Sequence, residues 1–508
     1  MALSAFSFGV GLSYDANPFA DDDTETVEGT DTVGEGEGEG EGEEEVEPVE
    51  RFTVEGVMYH VTEEGVVEVE GVEEGATSIV IPEEVTYEET TYQVTAIVEN
   101  AFSGNKTLTS VSIAGSVKEI PKETFKECSG LTTIELGEGI EVIGESAFAG
   151  CSKLETLVIP ESVTELGKGL FEDCTSLIAV EIDCDVETVD QDLFKGCTSL
   201  EEIEIKGNIK TVAESVFEGN QKLKSVKLGG DIEEIGKNAF KDCTGLETFE
   251  FGENKNVNVI GESAFEGCTS LKAITVPGSL KVIEKTTFKD CTSLKDLVIE
   301  TGVEEIGESA FEGCTSIEEL TIPSTVKKVG EKAFKDCTSL KTVNIEEGVE
   351  EIGNSAFEGC GELKVASIPA SVKDIGESVF DGSSLEEVTI PGSMKIVKDG
   401  AFKGCKELKK LTIEEGVEEI GNLAFAGCIN LTELIIPKSV KKIGISAFRN
   451  CEMIESLELG EGLTRWATRC LRVVSACRQS CCQRVSPNWR QPPSGVARSW
   501  IPSLCLMG

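Results

Sequence analysis

Histidine is almost absent from this chain: His60 stands alone among 508 residues. A Ser-His-Asp or Cys-His nucleophile would have to use it, yet it alternates with Val57, Tyr59 and Val61 as an ordinary strand histidine does. No apolar run reaches the ~18 residues of a membrane-spanning helix. Neither a G-x-G-x-x-G nor a G-x-x-x-x-G-K-S/T phosphate loop occurs. Positive charge is scarce, with 45 Lys and Arg against 94 Asp and Glu, a net charge of -49. Such a field repels nucleic acid and anionic lipid and favours neutral or basic partners. Calcium would be attracted, but diffuse acidity defines no site for it. These absences lead us to expect no enzyme: no catalytic residue, no cofactor, no metal ligand, no nucleic-acid partner and no membrane insertion.

Phenylalanine, in contrast, is plentiful and periodic. Phe102, Phe125, Phe148, Phe171, Phe194, Phe217 and Phe240 recur every 23 residues. After a slip of two residues the series continues at Phe265, Phe288, Phe311, Phe334, Phe357 and Phe380. One residue is then lost, and the series ends at Phe402, Phe425 and Phe448. A fixed period of this size is the mark of a solenoid, in which each unit buries its apolar face only against its neighbours. In one unit, Leu131–Leu136 reads as a strand, Glu138-Gly139 as a turn, Ile140–Gly144 as a second extended piece, and Ser146–Cys151 as a tight corner of turn or 3₁₀ type. Some units carry proline at the turn, as at Pro160 and Pro323. The coil shape should deviate at the slip after Phe240 and at the loss before Phe402.

Thirteen of the nineteen cysteines follow a ladder phenylalanine by three residues, from Cys128 to Cys451. No C-x2-C pair of the zinc-binding kind lies in the array. Asn105, Asn220 and Ser383 fill the same slot in other units, which suits buried thiols in a small pocket better than regular disulfides. The residue after each phenylalanine alternates in sign, as at Glu266, Lys289, Glu312, Lys335 and Glu358. A second row agrees: Glu304-Glu305, Lys327-Lys328 and Glu350-Glu351. Parallel stacking places such residues about 4.8 Å apart, where opposite charges pair and like charges repel. The repeat is therefore 46 residues long in its charges, and Glu312 should lie near Lys289 or Lys335.

Four segments follow. Residues 1–50 hold 16 acids and no Lys or Arg, and read as a disordered acidic segment. Its start, Met1–Ser13, is either an ordinary N-terminus or the remnant of a secretion signal without its basic region. Residues 51–95 contain short β-type runs and three of the four tyrosines, and read as an N-terminal β cap. Residues 96–463 form the array. Residues 464–508 hold seven Arg, five Cys, all three Trp and no acid. They read as a basic, cysteine-rich tail or as the product of a shifted reading frame.

The unit L-x-x-I-x-I-P-x-S-V-x-x-I-G-x-x-A-F-x-G-C-x-S is clear at Leu271 to Lys295, Ile317 to Leu340 and Leu431 to Cys451. It resembles the BspA-type (Treponema pallidum-type) leucine-rich repeats. Gly56–Tyr59 through Ile79–Pro82 and Thr91–Val94 are similar to the lead-in of such arrays. The resemblance implies a right-handed solenoid of short parallel strands with a sheet on one face. It also implies a secreted or cell-surface protein that binds protein partners, host matrix or cell-surface proteins among them, as an adhesin. A structural spacer or an intracellular interaction scaffold is the alternative. The family has no fixed binding motif, so the candidate face comes from the residues. Between the two strand aliphatics the row begins with charge, at Glu135, Glu181, Glu204, Lys227 and Glu250, with Val158 among them. It then becomes uncharged at Thr275, Val298, Thr321, Asn344, Ser367, Thr389, Thr412 and Ile435. These eight are the expected binding patch.

Overall fold

The structure is a computed structural model that describes residues 50–466, except 183, 206–207 and 252–255; of residue 466 it describes the backbone alone. The acidic segment before Glu50, residues 252–255 in the longer coil after Phe240, and the tail beyond 466 lie outside the described residues.

The array is a β-solenoid with no helix among the described residues. Each coil carries one longer strand, usually of four residues, and one strand of two residues. In the longer strands core and solvent positions alternate, as in Glu319–Ile322, where Leu320 and Ile322 are buried and Glu319 and Thr321 exposed. Equivalent residues of successive coils pair in parallel register: Leu320 with Val343, Thr321 with Asn344. The short strands pair likewise, Ile306 with Val329 and Val329 with Ile352. A third edge is closed at the phenylalanine, whose N–H donates to the carbonyl preceding the next ring, as from Phe311 to Ala333 at 2.8 Å.

The phenylalanines form one continuous buried stack. Successive ring centroids lie 4.9 to 5.8 Å apart, with the planes within 16° of parallel. The rings are stacked parallel and offset, so that one coil spacing of about 4.8 Å carries each ring onto the next. Removing one ring, as in Phe311→Ala, would cost about 3–5 kcal/mol locally. At the slip after Phe240 the wider coil is filled by two further rings. Phe249 packs edge-on between Phe240 and Phe265, and Phe251 packs against Phe249.

The corners are consecutive turns, and the 3₁₀ alternative does not hold. Bonds of the i to i+3 kind are present, as from the Cys151 N–H to the Phe148 carbonyl at 3.1 Å. Left-handed residues two before and two after the ring interrupt any helical run, as at Ser146 (φ 54°) and Gly150 (φ 73°). The second position after the ring alternates between Asp and Gly from Asp242 to Gly359 for a steric reason. A Cβ on Gly313 would meet Asp290 Oδ1 at 2.2 Å, and one on Gly359 would meet Asp336 Oδ1 at 2.1 Å. The aspartate of one coil thus fills the space left by the glycine of the next. At Gly330, after a short strand, glycine fits for a different reason: a Cβ there would lie 2.6 Å from the Gly307 carbonyl carbon, whereas other coils accommodate Pro121, Asp190, Ala213, Glu284 and Lys398 at this position.

Proline divides the longer-strand sheet. In coils without it, the residue after the strand donates its N–H to the coil before, as from Gly137 to Ile113 at 2.8 Å and from Glu346 to Ile322 at 3.0 Å. Pro160, Pro277, Pro323, Pro391 and Pro437 occupy that position and have no N–H to give. The sheet is interrupted on the preceding side of each of these five coils; Pro369 takes the same position, but there the strand Val365–Ser367 is only shortened and stays paired with Thr342–Ile345. From Ala273 on, it is reduced to groups of two or three strands, whereas the short-strand ladder runs unbroken from Val282 to Ile375.

At the N-terminal end a five-stranded sheet, Arg51–Val54, Val57–Glu63, Val66–Val72, Thr90–Ile97 and Glu84–Tyr87 in spatial order, forms a separate layer. Phe52 stacks on Tyr59 and Tyr87 at 5.4 and 4.6 Å. One segment expected within the cap belongs elsewhere: Ser78–Ile81 pairs with Ser110–Ile113 and begins the array's own sheet.

Candidate functional site

The thiols are buried in a row beside the rings. Thirteen cysteines occupy the slot, and each thiol donates to the carbonyl of the phenylalanine before its own, as from Cys314 to Phe288 at 3.1 Å. Burial pushes the thiols of Cys128, Cys174, Cys360 and Cys405 up to about 12. A protonated, enclosed thiol is neither nucleophile nor ligand at neutral pH. His60 lies on Val57–Glu63, with Nδ1 3.0 Å from Glu68 Oε1 on the paired strand. Among the described residues no group of three His, Cys, Asp or Glu side chains is placed to hold a metal ion.

The outer surface is laced by ion pairs between coils. Lys335 reaches Glu358 at 3.3 Å, Lys241 reaches Glu266 at 3.6 Å, and Lys403 reaches Asp381 at 2.7 Å. In the second row Lys328 meets Glu305 at 2.6 Å. Glu312 lies between Lys289 and Lys335 in the stack. The Asp290 N–H bonds to the Glu312 carbonyl, and the Gly313 N–H to the Lys335 carbonyl. Glu318 receives Lys295 and Lys341 from the two flanking coils, both at 2.7 Å. Hydrogen bonds from these two lysines lower its carboxyl to about 2.

On the sheet, the candidate row is placed in register: Thr275 beside Val298, Thr321 beside Asn344, Asn344 beside Ser367, and Thr389 beside Thr412. Thr321, Asn344, Ser367, Thr389 and Thr412 are exposed, as are Val298 (51 %) and Ile435 (46 %), while Thr275 is half-buried. The row is broken into segments, because the proline coils separate Val298 from Thr321, Ser367 from Thr389, and Thr412 from Ile435.

Sequence reasoning passed over one feature of this face. Between Val365–Ser367 and Glu387–Ile390 lies an open groove of about 630 Å³. Its floor includes Ala366, at a position filled by Leu320 and Val343 in the coils before and by Val388 and Leu411 in those after. Val365 beside it is 56 % exposed. The signals were in the chain: an alanine in an otherwise aliphatic row, and a Phe380-to-Leu385 spacing one residue shorter than usual.

This geometry agrees with the comparisons. The profile of the BspA type leucine rich repeat region matches residues 77–199, 171–295, 281–409 and 373–477. The chain belongs to the BspA-type leucine-rich-repeat family. A BspA-type chain is a scaffold whose repeat class suggests protein–protein interaction, and family members are often secreted or on the cell surface. A leucine-rich repeat protein from Bacteroides ovatus is similar in structure. It is 26 % identical with a TM-score of 0.53, covering 82 % of this chain and 99 % of its own. A leucine rich cell surface protein from Faecalibacterium prausnitzii is 24 % identical with a TM-score of 0.41, covering 72 % and 94 %. The leucine rich repeat protein of T. pallidum is 23 % identical with a TM-score of 0.34, covering 43 % and 90 %. No curated protein matches the sequence. Among the described residues of this BspA-type chain no helix is long and apolar enough to cross a membrane.

Proposed function

We propose that this BspA-type protein is secreted or displayed at the cell surface and binds protein partners through its sheet face, as an adhesin for host matrix or for other cells. The observation that carries this reading is the row from Val298 to Ile435. Seven exposed, uncharged side chains on successive coils form a strip that a partner can cover at lower desolvation cost than the charged row before it, with Asp296, Glu319, Glu387, Lys410 and Glu433 along one side of it on the same face. Many lysines of the array are instead paired with carboxylates of the adjoining coils, as Lys328 is with Glu305 and Lys341 with Glu318. The apolar start, Met1–Ser13, and the habit of the family support export.

The test is binding of the full chain to immobilised extracellular-matrix proteins, beside a variant with Thr321→Lys, Asn344→Lys and Thr389→Lys. Placing three unpaired ammonium groups on the row should weaken binding about tenfold or more. Equal binding by the two chains would overturn the sheet face as the site. The absence of binding to matrix or whole cells would overturn the adhesive role and favour a spacer.

A further inference from the structure

We infer that the array is jointed: it bends about its phenylalanine corner at two steps between coils, and the coils on either side of each step move as blocks. One step lies between residues 248–260 and 273–283, the other between residues 365–375 and 387–397.

A regular step is held at three edges: the longer strands, the short strands and the corner. Elsewhere an interruption removes one of these. The longer strands part at Pro160, Pro323 and Pro437 while the short strands stay paired, and the short strands part at Asp190 while the longer ones stay paired. At the two steps named above both kinds of strand part together. Ahead of the strands one backbone bond crosses each step, from the Lys272 N–H to the Glu247 carbonyl at 3.1 Å and from the Glu386 N–H to the Lys364 carbonyl at 3.2 Å. The corner remains whole. Phe265 donates to the Thr287 carbonyl and Phe380 to the Ala401 carbonyl, both at 2.8 Å. The rings stay stacked across the steps at 5.3 and 5.4 Å. Phe380 and Phe402 are tilted by 16°, against 4° and 3° at the steps on either side.

The cause is written twice in the chain. The coils that follow the two steps carry Pro277-Gly278-Ser279-Leu280-Lys281-Val282-Ile283-Glu284 and Pro391-Gly392-Ser393-Met394-Lys395-Ile396-Val397-Lys398. Proline has no N–H for the longer strand before it. Glu284 and Lys398 stand where most coils hold glycine, whose N–H bonds to the coil before, as from Gly421 to Val397 at 2.7 Å. A side chain at this position needs room that a regular step lacks: a Cβ on Gly376 would lie 2.3 Å from the Asn354 nitrogen. Each of these coils is therefore held off along both strands. The first step follows the coil lengthened by two residues, and the second spans the loss of one. Side chains bridge the gaps. Ser279 and Ser393 donate to the Val257 and Val372 carbonyls, each at 2.7 Å, and Lys398 meets Asp374 at 2.8 Å. Such contacts exchange more readily than a strand ladder, and the space of about 630 Å³ beside Ala366 gives the second step room to close or widen. The candidate row crosses that joint between Ser367 and Thr389, so bending changes the separation of its two parts. The joint does not rest on what the row binds, and its test uses no partner.

The test uses the full chain with its five tail cysteines replaced by serine, since the array thiols are enclosed. Spin labels are placed at Thr321→Cys and Thr412→Cys, four coils apart across the second joint. The control pair is Val158→Cys and Glu250→Cys, four coils apart where the longer strands pair throughout. Pulsed dipolar spectroscopy should give a broader distance distribution for the first pair. Amide exchange over residues 387–397 should be about tenfold faster than over residues 342–352, whose strands pair on both sides. Pro391→Glu with Lys398→Gly supplies the missing donor and the missing glycine. It should narrow the distribution to that of the control and remove the excess exchange. Equal widths for the two pairs, equal exchange in the two segments, or a double variant that leaves both unchanged would overturn the joint.

Discussion

Asn220 presents a defect that a single substitution should repair. It occupies the thiol slot between Cys197 and Cys243 and is wholly buried. Neither its Oδ1 nor its Nδ2 meets a hydrogen-bond partner among the described residues. Elsewhere the slot side chain donates to a ring residue's carbonyl, as Cys243 does to Phe217 at 3.0 Å. Asn220→Cys removes two unpaired polar atoms, changes the volume little and supplies a donor towards the Phe194 carbonyl. An unsatisfied buried polar group costs about 1–3 kcal/mol, so we expect a gain of about 2 kcal/mol. Because solenoid stability is the sum of coils and their interfaces, the gain belongs to the coils around Phe217. Hydrogen exchange of the Phe217 and Leu223 amides through local opening should slow about thirtyfold, since 1.4 kcal/mol is a factor of ten. Asn105→Cys is the control with the opposite sign. The Asn105 Oδ1 accepts from the Thr107 and Leu108 N–H groups at 2.9 and 3.0 Å, and a thiol would leave both donors unmet. Unchanged or faster exchange in Asn220→Cys would refute the argument that the amide is an uncompensated burden.

Other expectations follow from the same coil geometry. Leu423 is held at φ 56°, where most other coils place Ser, Asn, Asp or Gly and the rest Glu123, Thr286 and Lys332. Leu423→Gly should raise stability by about 1 kcal/mol, and an unchanged or lower urea midpoint would contradict this. The Glu318 carboxyl lies at about 2 in the folded chain, below its unfolded value of about 4.3. Its contribution to stability is therefore present above about pH 4.3 and is lost as pH falls towards 2. With Lys341→Met its titration, followed by NMR, should move up, and no movement would dissolve the bridge. The buried thiols have the reverse sign. Their folded values, about 12 at Cys128 and Cys360, exceed the unfolded value of about 8.5. Stability is complete below about pH 8.5 and is lost as pH rises towards 12. A thiol reagent should accordingly leave the array cysteines unmodified at neutral pH until denaturant unfolds it; rapid labelling of the native chain would refute their enclosure.

The sequence by itself determined the solenoid, its period, the ring stack and the buried thiol row. A side chain repeated every 23 residues has only one set of neighbours, its own copies in the adjoining coils, so spacing and contact are the same information. Charge alternation was legible for the same reason: Lys328 can face only Glu305 and Glu351. The candidate row from Thr275 to Ile435 was legible as a row, since strand alternation fixes which side chains leave the core. Its division into segments was decided by tertiary structure. A proline at 323 or 391 reads locally as a turn residue, and its effect appears only where a carbonyl in the coil before is deprived of a donor. The place of Ser78–Ile81 was likewise decided across the chain, because the same alternating strand suits the cap or the array equally well. The groove over Ala366 required the conjunction of an alanine, a shortened corner and a proline from two successive coils. Each is unremarked alone, and only stacking brings them to one side of a sheet and leaves two strand edges facing each other.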